Sequence, residues 1–294
     1  MTATSCTLPR LHVGAGTTIG ALTTFPLWVQ APSVRGLHWS GTELTIAEIA
    51  GSPSVDELTV INRSNRPAVL LEGDLVEGGL QHRMVAASGL VAAGTTGLLA
   101  ARCIEQGRWD GKRGHQATRR RAPYSVYAAE RDHGGAADQG DVWRRIDRFE
   151  QRLGHTPSAS MIDHLARRPA PQMPLVEGQR GVIIGIGGRV VAAEIFGRSH
   201  GLASRWAGIV GAAWLDALSA PTLPTPAEQA RDLVRQINPV SLRTIGGAGL
   251  GGRINAQVGP LALRGLTMDG STVGSRNLVH LSAIDLSHPY VLAA

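Results

Sequence analysis

The chain of 294 residues lacks several things, and each lack excludes a class of protein. It has two cysteines, Cys6 and Cys103, too few for a disulfide framework. Lys112 is its single lysine, so arginine supplies nearly all the basic charge. No uninterrupted apolar run approaches the length of a membrane-spanning helix. The opening MTATSCTLPR lacks a basic stretch followed by an apolar one, so the sequence predicts no secretory signal and a cytoplasmic protein. The histidines show neither an HExxH pattern nor paired spacing, so no metal set is predicted from them. The formal charge is +6, but the arginines are scattered between acids, and their one dense run lacks interleaved aromatics. That pattern argues against a nucleic-acid partner. With 43% hydrophobic and 18% charged residues, the chain is globular and not disordered.

What is present centres on Val69 to Trp109, VLLEGDLVEGGLQHRMVAASGLVAAGTTGLLAARCIEQGRW. Three short apolar stretches each carry a polar pair two residues apart: Glu72 and Asp74, Gln81 and Arg83, Cys103 and Glu105. On an extended strand, residues i and i+2 share a face. Strands over 69–76, 81–87 and 98–105 in one sheet would therefore bring Asp74, Arg83 and Glu105 together. Such a cluster is either a buried network that fixes strand register or a ligand site. The carboxylates of Glu72, Asp74 and Glu105 are the candidate catalytic groups, as general base or nucleophile. Gln81, Arg83, Arg108, Trp109, Gly79 and Gly107 are candidate substrate-binding residues, with Cys103 packed beside them as a buried, weakly reactive thiol. A third and weaker option is a hard cation held by the carboxylates and Gln81.

Around this stretch, residues 1–109 read as a β-rich half. Ile19 to Val29 is a strand broken at Pro26; Leu44, Ile46 and Ile49 alternate, and Leu58 to Asn62 is a short strand. The segment 110–140, with Lys112-Arg113, Arg119-Arg120-Arg121 and Arg131 to Gly135, reads as a long Arg-rich loop, a candidate lid over a phosphorylated ligand. The half over 141–294 mixes helices and strands. Asp141 to Leu153 is an amphipathic helix capped by Asp141, and Gly181 to Phe196 is a hairpin about Gly187-Gly188. Leu202 to Leu218 and Thr225 to Ile237 are helices, and strands follow at 253–258, 261–267 and 278–284. The Gly247 to Gly252 run satisfies G-x-G-x-x-G, but extended sequence follows it, so no dinucleotide turn is predicted. The expected fold class is α+β: a sandwich or jelly-roll-like N-terminal half packed with a helical and hairpin C-terminal half, as one globular unit.

LEGDLVEGGLQHR followed by CIEQGRW resembles the first of the ARG-and-rhodanese-phosphatase-associated protein domains, a bacterial family. The matching positions are Gly73, Asp74, Gly79, Gln81, Arg83, Cys103, Glu105, Gly107, Arg108 and Trp109. The GGRVVAAEIFG hairpin, the Trp206 helix and the LVHLSAI segment are similar to that family as well. His82 between Gln81 and Arg83 departs from the pattern, as does the Arg-rich insertion. The resemblance implies a context in NAD and ADP-ribose metabolism without implying a reaction or naming a cofactor. Two hypotheses follow. One is a hydrolase or transferase acting on an ADP-ribose-like phosphorylated nucleotide. The other is a non-catalytic binding or assembly protein. The expected partner is an anionic small molecule, not a membrane, with a homo-oligomer left open.

Overall fold

The computed structural model of the chain describes residues 5–6, 8–111, 114–132, 138–240, 242–268 and 277–292. The architecture is α+β and β-rich. Two compact units are present. The first comprises Met1–Arg35, Pro171–Trp206 and Asp216–Ala293; the second comprises Gly36–Ala170 and Ala207–Leu215, with Ala294. These boundaries differ from those expected at 109 and 140, because the β-rich strands at the start of the chain pair with strands near its end.

In chain order the first unit opens with β1 (Ser5–Cys6), β2 (Arg10–Val13), β3 (Thr17–Ile19) and β4 (Leu22–Gln30). The second unit contains β5 (Leu44–Glu48), β6 (Glu57–Asn62), β7 (Ala68–Leu70), β8 (Asp74–Gly78), β9 (Arg83–Val85), β10 (Gly89–Val91), β11 (Thr96–Cys103) and β12 (Gly114–Arg121). Four helices follow in it: α1 (Tyr124–Tyr127), α2 (Ala129–Asp132), α3 (Gln139–Leu153) and α4 (Met161–Arg167). The chain then forms β13 (Gly181–Ile186), β14 (Arg189–Phe196), α5 (Ser199–Ala217), α6 (Ala227–Ile237), β15 (Leu242–Ala248), β16 (Gly251–Val258), β17 (Leu261–Thr267), β18 (Leu278–Asp285) and α7 (Pro289–Leu292). Among the described residues no helix is long and apolar enough to cross a membrane.

In the first unit ten strands form one sheet, ordered β1-β15-β16-β17-β18-β14-β13-β4-β2, with β3 also on β4. Leu27, Phe25, Ile183, Ile195, Leu263 and Leu281 are buried in its core, each contributing roughly 1.5–3 kcal/mol of hydrophobic stabilisation. Pro26 does not break β4. It sits opposite Val182 of β13 within a continuous ladder. The 181–196 hairpin forms as its sequence predicts, with Gly187 and Gly188 at positive φ in the turn. The glycine-rich run near 250 is likewise a strand turn, β15 to β16, and opens no helix.

In the second unit the expected sandwich or jelly roll is instead a closed barrel, β11-β6-β5-β12-β8-β9. Closure depends on the length of β11: Thr96 to Ala100 pair with β6, and Ala101 to Cys103 pair with β9. The inward positions follow strict alternation. Leu44, Ile46, Leu58, Val60, Val76, Val85, Leu99 and Ala101 fill the barrel. The same inward set continues as polar residues at the ends. Asn62 closes one end, its amide donating to Arg66 O and Val91 O. Glu48, next after Leu44 and Ile46, belongs to the other.

Two further expectations change. The stretch 69–76 is not one strand: it turns at Gly73, whose φ is +88°, so β7 pairs with β10 outside the barrel while β8 enters it. The Arg-rich segment is not a loop or lid. Gly114 to Arg121 is a barrel strand, and α1 and α2 follow it; Lys112, Arg113 and His133 to Gly135 lie outside the described residues. The sequence GHQATRRR hides β12, because its one apolar residue is Ala117, while the two positions it buries are His115 and Arg121. Helix α3 is capped by Asp138, which accepts from the Asp141 backbone N–H, and not by Asp141 itself.

Candidate functional site

Arg83 stands at the centre of the polar end of the barrel. Its register places it opposite Val76 on one side and Cys103 on the other. Its side chain, like that of Glu48, is fully buried. Nη1 donates to Gln81 Oε1 at 3.1 Å, and Nη2 lies 3.6 Å from Glu48 Oε1, an ion pair beyond hydrogen-bond length. No hydrogen bond reaches Arg83 Nε or Nη2 from any described residue, and Glu48 Oε2 also lacks a donor. The guanidinium carbon lies 5.6 Å from the ring centre of Trp109, which is half exposed.

Glu48 connects Arg83 to a histidine. Its Oε1 accepts from the Leu80 backbone N–H at 3.1 Å and pairs with His115 Nε2 at 3.0 Å. Burial pushes the His115 imidazole below its ordinary value, against the opposing pull of Glu48. The neutral ring then donates from Nε2, and its Nδ1 has no hydrogen-bond partner among the described residues. Gly79 accounts for the close fit over this ring: a Cβ there would lie 2.0 Å from His115 Nε2, and its φ is +64°.

Glu105 and Arg108 form a separate, saturated knot beside Arg83. The Glu105 carboxylate accepts from Arg108 Nη2 at 2.7 Å, from Ser158 Oγ at 2.7 Å and from the His82 backbone N–H at 2.9 Å. Burial alone would push this carboxyl up, but those donors together hold it below its ordinary value. Arg108 Nη1 meanwhile donates to Gly79 O at 2.9 Å and to Asp110 O at 2.6 Å. Gln81 completes the knot, its Nε2 donating to Glu105 O at 3.0 Å. Gly107 admits another backbone and not a ligand: it donates to Ser158 O at 2.9 Å, and a Cβ would meet Ser158 Cα at 3.0 Å.

Glu72 and Asp74 belong to a second cluster. Glu72 Oε1 pairs with Arg131 Nε at 3.2 Å, and Asp74 Oδ2 accepts from the Leu71 backbone N–H at 3.0 Å. Asp74 faces Arg121 across the β8–β12 ladder. The guanidinium carbons of Arg121 and Arg131 lie 5.0 and 5.3 Å from the Tyr127 ring centre. These contacts tie α1 and α2 to the barrel. The strand pattern therefore brings Gln81, Arg83, Cys103, Glu105, Arg108 and Trp109 to one place. Glu72 precedes the turn at Gly73 and pairs with Arg131, while Asp74 begins β8 two residues from Val76, the partner of Arg83, and faces Arg121.

Cys103 is buried, and burial raises its thiol, with Sγ 3.2 Å from Glu105 O. Two residues of the Arg83 cluster, Glu48 and His115, escape the sequence reading. Glu48 continues the inward Leu44, Ile46 alternation of β5, which by itself does not tell a barrel interior from a solvent face. His115 was hidden in the segment taken as a loop. Among the described residues no three His, Cys, Asp or Glu side chains are placed to hold a metal ion.

The ARG and Rhodanese-Phosphatase-superfamily-associated Protein domain matches residues 10–284, nearly the whole chain. The chain belongs to this family. No curated protein and no solved structure matches it. The family match spans both units and includes the whole barrel, so Arg83, Glu48 and His115 all lie within it.

Proposed function

We propose that the polar end of the barrel binds an anionic small molecule of the ADP-ribose-like, phosphorylated-nucleotide class, with Arg83 as the anion ligand. One observation carries this: the Nε and Nη2 donors of a fully buried guanidinium lack hydrogen-bond partners among the described residues. That edge presents two parallel N–H groups, the geometry that takes a phosphate or carboxylate bidentately. A buried donor without an acceptor costs about 1–3 kcal/mol, so the position favours a ligand that fills it. Trp109, half exposed, places its ring centre 5.6 Å from the guanidinium carbon, at the solvent side of the cluster. The association with ARG in the family's description agrees with an ADP-ribose context. Hydrolase or transferase chemistry would draw its base from Glu48 with His115, since Glu105 is saturated and Glu72 and Asp74 lie in the other cluster.

The saturation of Glu105 and Arg108 favours a second reading, a non-catalytic assembly or binding protein whose polar network is structural. Calorimetric titration of ADP-ribose, NAD, AMP and ribose 5-phosphate separates the two. Wild-type protein is expected to bind at least one, and Arg83→Lys to weaken that binding by about 10- to 100-fold through loss of the planar fork. Absence of binding to all four, in protein that melts cooperatively, would leave Arg83 a structural residue.

A further inference from the structure

The ligand position beside Arg83 has an acceptor as well as two donors, and this narrows what it can hold. Glu48 Oε1 sits 3.6 Å from Arg83 Nη2, and Glu48 Oε2, on the same carboxyl carbon, has no donor. A group bound at the Arg83 fork therefore places an oxygen next to a carboxylate oxygen that can only accept. Two acceptors facing one another in a buried site repel, whereas a hydroxyl in that place is held by both. The charged and titratable groups facing this position come from β5, β9, β11 and β12 and from the segment after β11. They are Glu48 on β5, Arg83 on β9, Cys103 and then Glu105 after β11, Arg108 beyond it, and His115 on β12. His82 lies beside His115 as well.

We infer that the site selects a terminal phosphate monoester bound with one proton, two of its oxygens on Arg83 Nε and Nη2 and its P–OH donating to Glu48 Oε2. This rests on the anion-binding role of Arg83 proposed above and narrows that class to its phosphomonoester members, such as AMP and ribose 5-phosphate, over ADP-ribose itself. A phosphate monoester monoanion has three terminal oxygens, enough to fill both donors and still present a hydroxyl. A carboxylate has two oxygens and no proton, and the internal phosphates of ADP-ribose or NAD, each in one ester and one anhydride linkage, carry no hydroxyl near neutral pH. Sulfate has the tetrahedral shape but is fully ionised at neutral pH. The second dissociation of a phosphate monoester lies near pH 6, so the monoanion is accessible close to neutrality.

The test uses the full chain and titrates AMP, ribose 5-phosphate, ADP-ribose and sulfate at about pH 8, in two buffers of different ionisation enthalpy. Because the free monoesters are then dianions, binding should take up about one proton per site. Sulfate and ADP-ribose should bind on the order of 100-fold more weakly than the monoesters. Glu48→Gln can turn its amide toward the ligand, so it should abolish proton uptake and reduce the phosphate-over-sulfate preference to less than about tenfold. If that variant fails to fold, the wild-type proton count and the sulfate comparison still decide. Monoester binding without proton uptake, or sulfate or ADP-ribose binding as tightly, would overturn the inference while leaving Arg83 an anion site. Failure of all four ligands would remove the anion site itself.

Discussion

Among the buried arginines, Arg180 of the first unit and Arg83 of the second are held in opposite ways. Arg180, just before β13 in the first unit, is engaged along its whole guanidinium by backbone carbonyls. Nε donates to Phe196 O at 3.3 Å, Nη1 to Ala31 O at 2.6 Å and Val29 O at 3.4 Å, and Nη2 to Gly197 O at 2.6 Å and Pro32 O at 3.5 Å. The Arg83 guanidinium in the second unit makes one hydrogen bond among the described residues, to Gln81, and a loose ion pair to Glu48. Burial lowers both guanidinium groups from the ordinary arginine value. Depth alone therefore does not distinguish a staple from a site; the number of acceptors around the guanidinium does. Arg108 makes the point at the surface: nearer to solvent than Arg83, it is committed to Glu105 and to backbone carbonyls.

The sharpest way to break the comparison is to remove each buried arginine. Arg180→Ala strands several carbonyls in the first unit and should cost about 3–5 kcal/mol in urea or thermal unfolding. Arg83→Met removes one hydrogen bond and a loose ion pair while Glu48 keeps its bonds to the Leu80 N–H and His115, so it should cost less than Arg180→Ala, about 2 kcal/mol, while abolishing anion binding. Equal losses of stability would show that Arg83 is a staple after all.

Acid separates the units next. His288 in the first unit is pushed down to about 4, by burial first and by Arg189 second. Its folded form resists a proton that the unfolded chain accepts near its ordinary value of 6.5. Stability from this group is therefore full above 6.5 and falls as pH drops toward 4, by about 3 kcal/mol in all. His82, His115 and His164 in the second unit shift the same way through burial and add to the slope. Urea titrations between pH 7 and 4 should show this loss, and His288→Gln should flatten it. An unchanged slope in the variant would mean that His288 takes up its proton without opening the fold.

The smallest expected effect concerns Trp109. A fully buried tryptophan would cost about 3–5 kcal/mol on truncation, but this one is half exposed, so Trp109→Ala should cost only about 1 kcal/mol. Its effect on ligand on- and off-rates should exceed its effect on melting if the ring covers the Arg83 fork. Thermal melts beside stopped-flow binding would measure both, and a large stability loss with unchanged rates would make the ring a core residue.

Much of this arrangement was legible in the chain. Period-two alternation located the barrel strands and put Gln81, Arg83, Cys103 and Glu105 on one end, because a strand holds i and i+2 together whatever it pairs with. The pattern cannot say which strands neighbour which or where the chain turns, so it does not show that Glu72, before the turn at Gly73, pairs with Arg131, or that Asp74, at the start of β8, faces Arg121. Glu48 was hidden because a lone acid after two apolar positions is as common on a solvent face as inside a barrel. His115 and β12 were hidden because Arg119 to Arg121 look like a solvated run, although Arg121 is buried beside Tyr127. Barrel closure itself follows from pairing between residues far apart in the chain, which local pattern cannot report.

The discontinuity of the first unit has a consequence for synthesis. Leu27 of β4 pairs with Gly181 of β13, and every strand of the barrel lies between them in the chain. A chain emerging from the ribosome can therefore finish all six barrel strands while β4, with Leu22, Phe25 and Leu27 destined for the core, has β2 and β3 beside it but still lacks β13. Loop-closure entropy makes that late pairing only slightly dearer for the long intervening segment, roughly 0.6 kcal/mol for each doubling of its length. The hazard is one of time: until residue 181 is translated, β4 is an open apolar edge that a second nascent chain can pair with.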